Sequence, residues 1–103
     1  MTLTDPIHPN FEREAIEAEH MLAAERDARE YMSHHIAAVE NVMSVRHPIR
    51  MWRAVLLDEE TAIVDSGAWT TSRIAAMQEA LELFDDMEAR KAKEIYEREY
   101  KNV

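Results

Sequence analysis

Cysteine is absent from this sequence, and glycine occurs once, at Gly67. The first absence removes disulfides, thiolate metal sites and cysteine nucleophiles, and it gives secretion no support. The second leaves no loop that could cradle phosphate by close backbone approach, which argues against nucleotide-binding enzymes. No apolar run approaches the roughly 18 residues of a membrane span. The opening "MTLTDPIHPN" has neither the charged start nor the apolar stretch of a signal peptide. The expectation is a cytoplasmic protein with no membrane partner.

The longest stretch without acid lies in the middle of the chain. Between Glu40 and Asp58 there is none, and there the chain gathers Arg46, His47, Arg50, Trp52 and Arg53. Elsewhere acid dominates: the 103 residues carry a net charge of -9, and residues 58–88 hold nine acids against one base, Arg73. Such a field repels phosphates before contact, so direct nucleic-acid binding is not expected. Basic protein surfaces or cations are the natural partners. With 47% apolar and 32% charged residues the composition is that of a folding globular chain. At this length it forms one domain, whose core buries about two thirds of the unfolded surface.

Residues 1–10, with Pro6 and Pro9, read as an extended arm, and Asn10 suits the cap of a following helix. Residues 11–101 read as a single helix-hairpin-helix domain. Residues 11–44 lack Gly and Pro and carry apolar groups at helical spacing: Phe11, Ala15, Ala18 and Leu22, then Ala28, Met32, Ile36, Val39 and Met43. One long helix is expected there, or two with a kink over residues 25–30. Unbroken, it would span roughly 50 Å, beyond the roughly 30 Å width of a small compact domain. Pro48 ends it by forcing its predecessor out of the α region.

The segments "RMWRAVLL" and "TAIVDS", joined by the polar turn "DEE" and closed by Ser66-Gly67, read as a β-hairpin. The alternative is a helix with Pro48 at its first position, Gly67 at its C-cap, and Ile49, Trp52, Leu56 and Ile63 on one face, which would make the chain all-α with three helices. A last helix, capped by Thr71 or Ser72, runs from Arg73 to about Lys101, with Ile74, Met77, Leu81 and Phe84 as its buried stripe. The fold class expected is therefore α+β: a long N-terminal helix, a central β-hairpin and a long C-terminal helix.

Arg46, Arg50 and Arg53 would favour the negative end of the first helix, and the acids of the last helix are their expected counter-ions. Three arginines are too few for a nucleic-acid footprint in so acidic a chain. Glu17 and His20 form an E-x-x-H, a spacing that places both groups on one helical face and is similar to that of di-iron carboxylate bundles. That chemistry needs about four carboxylates and two histidines, so a second copy would have to complete it, with Glu79 or Glu82 as added ligands. The metal-binding, ferritin-like helical oligomer is accordingly the alternative. Ser33, His34 and Ser44 lack the paired base and strained elbow of a nucleophile.

No catalytic constellation and no cofactor site emerges, and the function expected is non-enzymatic. In size and acidity the chain resembles phage-encoded inhibitors that mimic the charge of nucleic acid. The sequence points to a small acidic adaptor, regulator or inhibitor. It would bind a protein with a basic surface through Glu79, Glu82, Asp85, Asp86 and Trp69, and would form a homo-oligomer to cover its long amphipathic helices.

Overall fold

Six elements follow one another in the computed structural model, which describes residues 9–46 and 48–101. They are helix α1 (Pro9–Met32), strands β1 (Ile36–Met43), β2 (Arg50–Leu57) and β3 (Ile63–Ser66), helix α2 (Arg73–Ile95) and a closing π-helical turn (Tyr96–Tyr100). The fold is α+β with a long helix at each end, and the hairpin expected in the middle is β2–β3. The all-helical alternative does not form. Most of the expected arm lies outside the described residues, as do His47 and the side chain of Phe11; α1 already includes Pro9 and Asn10.

The N-terminal helix is shorter than expected, and its last part is a strand. Good helix formers carry α1 as far as Met32, with Glu12 in its first turn and Arg29 in its last, both favourable to the helix dipole. Ser33 then closes it: its N–H and its hydroxyl both donate to the Glu30 carbonyl, at 3.1 and 2.6 Å, and the His35 N–H donates to Met32 at 2.9 Å. Ile36, Val39 and Met43 do fall at helical spacing. They also lie in a run with β-branched residues at 36, 39 and 42, which suits a pleated strand, and pairing with β2 decides between the two. That pairing is antiparallel and unbroken from Ile36 opposite Leu57 to Met43 opposite Arg50.

Strand β2 is central in the order β1-β2-β3. The turn into β3 is built by Asp58, whose carboxylate accepts from the N–H groups of Glu60 and Ala62, each at 2.9 Å. Thr61 completes it with φ 63°, a left-handed conformation unusual for a β-branched residue. The register slips between Leu56 and Leu57, leaving Val64 as the extra residue of a bulge. Past β3, Trp52 and Thr70 exchange backbone hydrogen bonds, both 2.7 Å. Ser72 then caps α2 by accepting from the Ala75 N–H at 3.1 Å.

Helix α2 joins two halves of the molecule. Its first half lies on the face of the sheet that carries Ala37, Val39, Ala54 and Leu56; its second half lies antiparallel to α1, with Lys91 over the Tyr31 ring and Tyr100 against His20. Six of the ten buried apolar residues are alanines: Ala24, Ala28, Ala54, Ala76, Ala80 and Ala92. Small side chains allow helix and sheet to approach closely but bury little area each. The stripe expected to be buried on α2 is largely open: Ile74 is 69% exposed, Met77 47% and Leu81 62%, because Ala76 and Ala80 occupy the contact instead. The result is long and thin, 76 × 30 × 16 Å with a radius of gyration of 20.7 Å, against about 13 Å for a compact domain of 100 residues. Among the described residues no helix is long and apolar enough to cross a membrane.

Candidate partner-binding surface

Five residues were expected to form the binding surface, and the fold separates them into two groups. Glu79 is committed to the protein's own structure: its carboxylate accepts from the Ala68 N–H at 3.2 Å and fills the space where a Cβ at Gly67 would stand. A side chain at position 67 would displace the Glu79 carboxylate from this loop. Trp69 lies near this loop, 42% exposed, with the Arg53 guanidinium 4.8 Å from its ring centroid. Glu82, Asp85 and Asp86 project from the side of α2 turned away from the sheet, all exposed. None of the three carboxylates has an ion-pair partner among the described residues.

The basic cluster is spent locally rather than on α2. Arg53 pairs with Glu40 across the β1–β2 ladder, where the two residues stand directly opposite, and Arg50, opposite Met43, reaches diagonally to donate to the Asn41 side chain. Within one chain the acids of α2 therefore do not neutralise Arg50 and Arg53 as expected, because β1 supplies nearer acceptors once residues 36–43 form a strand. The cations that do approach α2 come from α2 itself and from Arg98 of the closing turn, which reaches Glu94 at 3.4 Å. Arg90 reaches Asp65 at 3.8 Å, Lys91 reaches Glu94 at 3.4 Å, and Arg73 lies 5.4 Å from the Trp52 ring.

Next to the acidic flank, α1 and α2 enclose a shallow groove. Glu25, Asp85, Glu88 and Glu97 rim it, Arg29 and Lys93 stand among them, and Ala89 and Ala92 form part of its lining. Glu25 is the contribution of α1 that sequence reasoning missed; the signal lies in the antiparallel pairing of the two helices, which no local pattern reveals.

Glu17 and His20 share one face of α1, as their spacing requires, beside Tyr96 and Tyr100. The His20 ring stands 5.5 Å from that of Tyr100. Among the described residues no group of three or more His, Asp or Glu converges to hold a metal ion. Tyr100 itself donates to the Asp27 carboxylate at 2.9 Å, and that hydrogen bond, with the adjacent negative charge, raises its pKa above the usual phenol value. His35 packs against Tyr31 with ring centroids 5.0 Å apart, and its Nδ1 is buried without a hydrogen-bond partner.

Comparison with protein-family models, with curated proteins and with solved structures finds no match to this chain.

Proposed function

We propose that this chain is a non-enzymatic adaptor, regulator or inhibitor that binds a protein partner with a basic surface through the outer flank of α2. The observation that carries this reading is the set of three carboxylates, Glu82, Asp85 and Asp86, exposed on one helix and without an ion-pair partner among the described residues. A basic partner would meet them without first breaking contacts in this chain. Unpaired charge of one sign also steers encounter, and does so more weakly as salt rises. Glu79, already accepting a hydrogen bond from the loop at Ala68, is left out of this reading.

Reversal of charge tests the proposal. With Asp85→Lys and Asp86→Lys combined, an immobilised chain should lose a host protein that the wild type retains at low salt, while its circular dichroism stays unchanged. Retention of every wild-type partner by the reversed variant would move the binding surface away from α2.

A further inference from the structure

We propose that the outer edge of β1 and the open apolar stripe of α2 together bind a second copy of this chain about a two-fold axis, joining two three-stranded sheets into one of six strands. The hydrogen-bonding phase of the sheet identifies the edge. Trp52 exchanges both backbone bonds with Thr70, and Gly67 donates to Ala54 at 2.9 Å, so Trp52 and Ala54 direct their backbone groups toward β3. Alternation then turns Met51, Arg53 and Val55 toward β1, where they satisfy Val42, Glu40 and Ala38. Ala37, Val39, Asn41 and Met43 are left with N–H and C=O groups pointing outward, on a strand that pairs with nothing else among the described residues.

The usual protections of such an edge are missing. Residues 36–43 include no proline and no lysine, and the one charge, Glu40, is neutralised by Arg53. Beside the edge, Ala37 and Val39 line an apolar groove with Met77 and Leu81, and Ile74 extends the exposed stripe one turn further.

A second copy fits this surface in shape. Antiparallel pairing centred on Val39 sets Ala37 opposite Asn41 of the mate, so the free groups of both edges meet in phase. The same axis lays the two α2 helices antiparallel, and a centre between Met77 and Gln78 sets Ile74 against Leu81. The elongated chain also has surface to spare. The chain exposes 7598 Å² at 12.0 kDa, where a compact monomer of that mass exposes about 6,000 Å², and a stable interface requires about 800 Å² from each partner.

Sedimentation and hydrogen exchange on the full chain at micromolar concentration test this. The wild type should show twice the 12.0 kDa of one chain, with slow exchange at the amides of Ala37, Val39 and Asn41. Ile74→Glu with Leu81→Glu changes only exposed side chains, and should give a single-chain mass, fast exchange at those amides and unaltered circular dichroism. A single-chain mass for the wild type overturns the proposal and leaves the edge to a different partner. A dimer that survives Ile74→Glu with Leu81→Glu overturns it in favour of another face.

Discussion

Thr61 and Tyr100 carry local conditions that single substitutions expose. At φ 63° a β-branched side chain crowds its own backbone, and the turn holds it there because Asp58 accepts two neighbouring amides. Thr61→Gly should relieve this and raise stability by about 0.5–1 kcal/mol in urea unfolding; a loss would mean that the threonine hydroxyl, which donates to the Glu60 carbonyl, matters more than the strain. Tyr100 is held protonated by Asp27, so its folded pKa lies above its unfolded one. The contact therefore contributes fully at pH below the ordinary phenol range and is lost as pH rises through the folded value. In a phenolate absorbance titration, Asp27→Asn should shift one component downward, and Tyr100→Phe should delete that component. Neither bond was legible in the sequence, since Asp27 and Tyr100 are 73 positions apart. The part played by Glu79 was hidden for a similar reason: as text it is one more acid in an acidic helix, and only the approach of the Gly67 loop gives it a partner.

Where two elements meet, alanine governs the outcome. Ala24 and Ala28 of α1 are fully buried against Ala92 and Ile95 of α2, with Tyr96 and Tyr100 at the margin. Ala28→Leu would have to force three extra carbons into that seam, and overpacking of this kind costs about 1–3 kcal/mol. The denaturation midpoint should fall accordingly, whereas the same change at exposed Ala89 should leave it within about 0.5 kcal/mol. The hairpin and the Ser72 cap could be read in advance because their signals are local: a polar turn, Ser-Gly closure, a hydroxyl one residue before a helix. The end of α1 could not. "IAAVENVM" satisfies both helical and strand periodicity, and the eight cross-strand partners that decide the matter lie 7 to 21 residues further along the chain. The apolar stripe of α2 was identified by its spacing, but which side of the helix would meet the sheet was set by the small residues Ala76 and Ala80.

For the molecule as a whole, the balance between covered and open apolar surface is unusual. Fourteen large apolar side chains are exposed among the described residues, while only Met32 and Leu56 are large and completely enclosed. A monomer with that balance holds little in reserve, and association should contribute a visible share of its stability. Its thermal midpoint should then rise with protein concentration, as mass action requires of a chain whose folded form pairs and whose unfolded form does not. A midpoint independent of concentration would show that each chain is stable alone. The acidic flank was legible at this scale from charge distribution along the sequence, but its composition was not: Glu79 belongs to the loop, and Glu25 enters from the other helix.

Helix α2 is also the principal rod linking the sheet to α1. The strands meet α1 only through that rod and the short link 33–35, so a load on the sheet reaches the far end of α1 along a seam of methyl groups. The chain is built less like a kernel than like a lever.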